Sequence, residues 1–225
     1  MMMRTSVMIG LTILAIGCTS PKEDSSSQEV EAEPEMATQE DCVFGYNPSS
    51  TEVLWVAYKY TDKTGVKGVF DSVWVENTSA SDDPLKVLEG ATVRITTASI
   101  NSGDPTRDPK IVESFFGSLQ GGEELTGKVL KIQGDNSAGN MTLELAMNGF
   151  IAPVEGGYSI QENRFEFKAE ISTETWAAGE ALGELNRVCS DLHKSADGQS
   201  VLWPDVTIFI STTLSRECDE VASLN

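Results

Sequence analysis

Hydrophobic and polar positions alternate with a period of two in several segments of the chain. In MTLELAMN, residues 141–148, apolar side chains occupy the odd positions and mostly polar ones the even positions. The segment RFEFKAEIS, residues 164–172, has the same pattern, with Phe165, Phe167 and Ile171 on one face. Because successive side chains of a β-strand point to opposite faces, each segment is predicted to be a strand with one buried face.

Further segments have the composition of strands. They cover residues 53–60, 66–76, 91–100, 125–134 and 205–214. Turn residues separate them, as at Lys63-Thr64-Gly65, while Asn148-Gly149 marks either a tight hairpin or a bulge. About eight strands at this spacing predict an all-β protein, folded as an antiparallel sandwich or barrel.

Two helical segments interrupt the strands. Apolar residues recur at helical spacing near 173–192, with Ser172 or Thr173 available as a cap. A shorter helix is predicted near 109–116, where Asp108 is expected to cap and Pro109 to begin the helix. Phe115 and Phe116 would anchor that helix to the sheet, and Arg107 would bond nearby backbone or acidic groups.

The N-terminal residues form no part of the predicted domain. Residues 1–17 have the short positive start and apolar run of a secretion signal, and LAIGC, ending at Cys18, resembles the lipobox of bacterial lipoproteins. Residues 18–41 would then be a lipidated cysteine and a disordered acidic tether before a domain at 42–225. We expect a lipid-anchored protein of the bacterial envelope, at the outer membrane because Thr19 is not aspartate; an ordinary cleaved signal is the alternative.

Charge and residue counts exclude several functions. The net charge is −19, and residues 42–225 carry 27 Asp and Glu against 14 Lys and Arg, so nucleic acid is not an expected partner. The single histidine, His193, and the absence of a Cys-x-x-Cys motif leave no predicted metal or haem site. Without a Gly-x-Ser-x-Gly motif or a recognisable carboxylate pair, no catalytic residue is assigned and no enzyme activity is expected.

One segment is specific enough to indicate a family. SINSGDPTRDPKIVESFF resembles the central signature of the YceI-like family, the lipocalin-like polyisoprenoid-binding proteins, through Ser99, Ile100, Ser102, Gly103, Arg107, Asp108, Phe115 and Phe116. Residues 65–73 and 125–145 resemble two further family segments in the same order. The resemblance extends over roughly residues 51–214.

The resemblance implies a lipocalin-like antiparallel β-barrel that binds a long apolar lipid, such as a polyisoprenoid, quinone or fatty-acid-like molecule, without cofactor or catalysis. An elongated tail requires an apolar tunnel that excludes water. The expected lining residues are Val93, Ile95, Met141, Leu143, Leu145, Met147, Phe165, Phe167, Ile171, Ile208 and Ile210. The alternative is a solid-core barrel that serves as an envelope scaffold or adhesion module. Trp203 would either gate or plug one end.

Three cysteines follow Cys18. In a closed antiparallel barrel the first and last strands pair, which predicts a disulfide between Cys42 and Cys218 and a buried free thiol at Cys189. Cys189 replacing either partner remains the alternative. The sequence leaves the oligomeric state open, a dimer included.

Overall fold

The structure is a computed structural model that describes residues 41–219. The predicted signal at 1–17, the lipidation of Cys18 and nearly all of the tether at 18–41 lie outside the described residues. In the described part of the chain, no helix has the length and apolar character needed to cross a membrane.

Strands dominate the structure. Eleven strands are present within residues 41–219: β1 Cys42–Tyr46, β2 Glu52–Lys59, β3 Thr64–Phe70, β4 Val73–Glu76, β5 Thr92–Thr96, β6 Ile100–Asn101, β7 Glu124–Gly134, β8 Ala138–Met147, β9 Phe150–Gln161, β10 Arg164–Ser172 and β11 Leu202–Cys218. Every pairing between them is antiparallel.

The pairings curl the sheet into a ring of eight. The order is β4-β5-β7-β8-β9-β10-β11-β2-β3-β6, and β3 continues directly into β4 just as β5 continues into β6. Across both breaks the hydrogen bonding persists, because Asp71 N donates to Ser99 O at 2.9 Å and Thr96 N donates to Ser72 O at 3.3 Å. When β3 with β4 and β5 with β6 are each counted as one interrupted strand, the ring has eight strands. The predicted lipocalin-like all-β fold is therefore confirmed.

Strand β9 was not among the predicted segments, because its sequence contains Pro153, Gly156 and Gly157. The proline is tolerated because β9 pairs with β10 only as far as Gly156, which leaves residues 150–155 paired with β8 alone. Asn148 and Gly149 have φ of 53° and 74° and join β8 to β9 in a two-residue turn. The tight-hairpin interpretation of this dipeptide is therefore correct.

The short predicted helix is present but begins differently from the prediction. A helical turn, α2, at Asp108–Lys110 runs into a π-helical turn at Ile111–Phe115 and a 3₁₀ turn at Phe116–Ser118; together they form the 108–118 segment. The expectation that Asp108 caps this helix is wrong. Its carboxylate instead accepts hydrogen bonds from Ser102 N, at 3.0 Å, and from the Ser102 hydroxyl, so it ties the helix to the end of β6.

The longer predicted helix is divided into pieces. A 3₁₀ turn at Thr173–Trp176 precedes helix α3, Gly179–Val188, and another 3₁₀ turn follows at Ser190–Leu192. Ala177, with φ of 51°, makes the break. The break lets the buried Trp176 turn toward the sheet and donate from Nε1 to Leu145 O at 2.8 Å, a tertiary contact with no signal in the helical periodicity.

Helix α1, Pro84–Leu88, was not predicted. Asp83 Oδ1 caps it by accepting from Leu85 N at 2.9 Å, and Pro84 occupies its first turn. Val87 and Leu88 are buried in the core, so this short helix covers one end of the ring.

The cysteines have the pairing that the topology favoured. Cys42 and Cys218 are opposite each other on β1 and β11 and form a disulfide, with Cα atoms 4.0 Å apart. Cys189 is a buried free thiol just after α3.

Candidate functional site

The ring encloses a cavity of about 250 Å³ with an almost wholly apolar wall. All eleven residues proposed from the sequence as lipid-binding lie on this wall: Val93, Ile95, Met141, Leu143, Leu145, Met147, Phe165, Phe167, Ile171, Ile208 and Ile210. The structure thus brings them together as the alternating pattern predicts, while their contact with a lipid stays a prediction.

These residues differ in how much of each side chain faces open space. Phe165 and Phe167 are 2% and 1% exposed and pack tightly into the wall. Leu145, Ile171 and Ile208 are only partly buried although they point into the ring. Because strands β8, β10 and β11 place them on the inner face, the space they border is the interior of the cavity. The first pair therefore holds the wall together, and the second set is free to contact a ligand.

One end of the cavity is closed. Phe165 stacks on Tyr158 with ring centroids 5.3 Å apart, and Tyr158 donates its hydroxyl to Asp135 O at 2.9 Å. Burial raises the pKa of Tyr158, which keeps its hydroxyl in the donor form. Leu88, from helix α1, completes the apolar floor on this side.

Polar side chains at the closed end bond to one another. The hydroxyls of Tyr46 and Thr51 are 2.8 Å apart, and Thr51 donates to Thr212 Oγ1 at 3.0 Å. All three residues border the cavity. Since their hydroxyls are satisfied within the protein, they neither require water nor present an unpaired polar group to an apolar ligand.

The opposite end is more open and is called the mouth here. It is bordered by Ile111 of the 108–118 segment, by Leu182 and Leu185 of α3, and by Leu202 and Trp203 at the start of β11. All five are partly exposed, whereas Leu88 and Phe165 at the closed end are buried. A ligand therefore has its shortest path to the interior between α3, the 108–118 segment and the start of β11.

Trp203 is fixed in the rim of the mouth. Its Nε1 donates to Tyr60 O at 2.7 Å, and Lys63 Nζ lies 4.5 Å from the ring centroid. The indole of Trp203 borders the cavity without being fully buried. It therefore forms part of the rim and does not seal the mouth.

The signature segment supports the mouth. Phe115 and Phe116 are buried in an edge-to-face pair, with centroids 5.1 Å apart, and both border the cavity. Arg107 reaches Asp104 Oδ2 at 3.4 Å, in line with the expectation that it bonds a nearby acid. Asp108 ties the segment to β6 through Ser102, as described above. These contacts hold the 108–118 segment against the sheet.

Several wall residues were not predicted. Trp55 of β2 lies over Gly68 of β3, where an added Cβ would come within 2.4 Å of its ring. Gly127 of β7 is the register partner of Leu145 on β8, and no side chain lies within 4 Å of the place where its Cβ would be. The missing side chain widens the cavity at that level. The alternation of Val53, Trp55 and Ala57 in β2 was the signal available for this strand.

The cavity wall offers little for acid–base or metal chemistry. Its titratable residues are Tyr46, Tyr58 and Lys128, and Lys128 is exposed on the outer face. Across residues 41–219, no group of three or more His, Cys, Asp or Glu side chains is arranged to hold a metal ion. The arrangement suits enclosure of an apolar molecule.

A ring of eight antiparallel strands around an apolar, closed-ended cavity is the architecture of the lipocalin-like proteins. Solved structures with this fold match the chain. A polyisoprenoid-binding domain from Saccharophagus degradans, implicated in plant cell wall breakdown, is 13% identical, with a TM-score of 0.54 over 80% of this chain and 100% of that one. BcnA from Burkholderia cenocepacia is 16% identical, with a TM-score of 0.52 over 76% of this chain and 99% of that one. These two matches establish a shared fold.

A YceI protein from Campylobacter jejuni matches more weakly, at 18% identity and a TM-score of 0.49 over 72% of this chain and 90% of that one. No family model and no curated protein sequence matches the chain.

Proposed function

We propose that the chain is a YceI-like protein that binds the tail of a long apolar lipid in its cavity, without catalysis. The observation that carries the proposal is the closed-ended cavity of about 250 Å³ with an almost entirely apolar wall. A solid-core scaffold would be expected to fill this space, because protein interiors are normally close-packed. The cavity thus favours ligand binding over the scaffold.

The volume bears on how the ligand is held. It lies slightly below the ~300–1,000 Å³ typical of small-molecule sites, so a long ligand requires some adjustment of the wall. Met141 and Met147 border the cavity, and unbranched methionine side chains adapt readily to apolar ligands. A tail that enters at the mouth would be lined by apolar groups as far as Phe165.

The shared fold adds support to this proposal. One matching structure is described as a polyisoprenoid-binding domain, which makes isoprenoid lipids the first class of ligand to test. Within the same proposal, Cys18 carries a lipid anchor and holds the domain at the outer membrane of a bacterial envelope, where the protein carries or stores its ligand.

The test is extraction of the purified full chain with organic solvent, followed by mass spectrometry. We expect a co-purifying lipid with a long apolar tail, and binding of quinones or fatty acids added to the stripped protein. Repeated absence of a lipid, together with no binding of either class, would support the scaffold alternative.

A further inference from the structure

Positively charged side chains collect around the mouth although the domain is strongly acidic. Lys59 is paired in the sheet with Leu202, which borders the mouth, and Lys110 directly precedes Ile111, which borders it from the other side. Arg107 lies one turn before Lys110. All three residues are partly buried.

Two of these cations have no carboxylate partner. Among the residues the structure describes, neither Lys59 nor Lys110 forms an ion pair, whereas Lys63 contacts Asp205 at 2.6 Å. Lys59 Nζ makes a contact of 3.4 Å with Leu192 O and lies 4.5 Å from the centroid of the Tyr60 ring. With acids about twice as numerous as bases in this domain, partly buried lysines without a carboxylate are positions that an anion would stabilise.

His193 joins these cations at the mouth. Its Nδ1 is 3.1 Å from Asn186 Oδ1 on α3, and its carbonyl accepts from Val201 N at 3.3 Å, next to Leu202. Asn186 Oδ1 also accepts from Ser200 Oγ at 2.8 Å. Since that amide oxygen is an acceptor, Nδ1 of His193 carries the proton and Nε2 is left as the acceptor that a second proton would occupy.

Cations also affect the protonation of His193, and Lys59 Nζ lies 3.4 Å from the carbonyl oxygen of Leu192, the residue before it. Burial, followed by the charges of Lys59, Arg107 and Lys110, lowers the pKa of His193 to about 4. The charged groups that contribute to this shift are all cations. Of the acids on these elements, Asp104 contacts Arg107 itself at 3.4 Å and accepts from Thr106 N at 2.9 Å, whereas Glu184 pairs with Arg187 at 2.6 Å and Asp191 with Lys194 at 2.7 Å.

We infer that Lys59, Arg107, Lys110 and His193 form a binding site for an anionic headgroup, carboxylate or phosphate, whose apolar tail occupies the cavity. This inference rests on the proposed function and adds the chemistry of the ligand's polar end. The cavity wall beyond the mouth has no cation on its inner face among the described residues, so the charged group of such an amphiphile stays at the mouth while the tail is buried.

The experiment compares three amphiphiles of one chain length, dodecanoate, dodecyl phosphate and 1-dodecanol, by calorimetric titration of the full chain. The test variant is Lys59→Gln/Lys110→Gln, and the matched control is Lys67→Gln/Lys131→Gln, which removes two exposed lysines from the outer face of the sheet. We expect each mouth lysine to contribute about fivefold to the affinity for either anion, so the test variant loses roughly 25-fold while 1-dodecanol binding is unchanged.

His193 supplies a second readout because it is the only histidine in the chain. The pH dependence of its ring resonances gives its pKa. We expect this pKa to rise from about 4 when either anion is bound and to be unchanged when 1-dodecanol is bound. A merely structural role of the lysines would not produce this ligand-dependent change.

The outcomes separate the two proposals. If only one of the two anions shows the effect, the site is assigned to that headgroup. Equal affinity for all three amphiphiles, with no dependence on the mouth lysines and no change at His193, would overturn the headgroup site and leave tail binding intact. If none of the three binds, the proposed function fails, and the headgroup site with it.

Discussion

Replacing Leu145 with tryptophan is expected to block the cavity without unfolding the ring. Leu145 faces the cavity and has Gly127 and Ala152 as its neighbours on the adjacent strands. No side chain lies above Gly127, where an added Cβ would meet only Glu144 O at 3.3 Å. An indole at position 145 thus has space to extend across the cavity, and the loss of stability should stay below the ~1–3 kcal/mol typical of overpacked cores.

The effect on binding follows from the depth of cavity beyond the block. Leu145 and Met141 are four residues apart in β8, which at ~3.4 Å per residue and a strand tilt of ~40° is about 10 Å along the axis. An extended hydrocarbon advances ~1.2 Å per bond, so about eight carbons lie in that depth. At ~0.8 kcal/mol for each buried methylene, excluding even four of them costs ~3 kcal/mol, about a hundredfold in affinity.

The assay is titration of the full chain with a long-chain fatty acid, alongside thermal denaturation of each variant. Leu130→Trp is the matched control, because Leu130 is 46% exposed and the same change there adds an indole outside the cavity. The reasoning is refuted if Leu145→Trp binds the lipid as tightly as Leu130→Trp while both melt like the unaltered chain.

Three further predictions concern the described residues outside the apolar wall. Asp108→Ala should lower the free energy of unfolding by ~1–2 kcal/mol, because the two hydrogen bonds from Ser102 are lost, without changing which lipids bind; an altered lipid set with unchanged melting would contradict this. His193 is neutral when folded, and its pKa of about 4 lies below the ordinary 6.5. Its stabilising contribution is therefore complete above pH 6.5 and is lost as the pH falls toward 4, by ~1–2 kcal/mol after allowance for partial exposure; denaturant titrations should show a smaller loss for His193→Gln. Reducing the Cys42–Cys218 bridge, which closes a separation of 176 residues, should cost ~3–5 kcal/mol in guanidinium unfolding. Cys189→Ser should not reproduce that loss, and an equal effect would count against the pairing.

Strict alternation is what made the wall of the cavity predictable. In β8 and β10 every second residue is apolar, so the inner faces were readable before any pairing was known. Strand β9 lacked that signal, because Pro153, Gly156 and Gly157 interrupt its pattern, and the proline is tolerated only because residues 150–155 pair with β8 alone. Its inner residues depend on neighbours that lie elsewhere in the sequence.

The cluster of cations at the mouth could not be predicted from the sequence for a related reason. Lys59, Lys110 and His193 belong to separate elements and have no spacing that marks them as a group. They converge only because α3 packs against the 108–118 segment and residues 193–201 bond to Tyr60 and Thr61 at the end of β2. The break at Ala177 likewise depends on the contact of Trp176 with Leu145, which helical periodicity does not encode.

The position of the tail inside the ring is tested most directly by methyl-labelled methionine NMR. Of the seven methionines, Met141 and Met147 lie within the described residues, and both border the cavity. With a protonated long-chain lipid bound to the full chain, we predict intermolecular NOEs from the tail to the methyl groups of Met141 and Met147. Saturable binding without NOEs to either methyl group would place the lipid elsewhere and contradict the account.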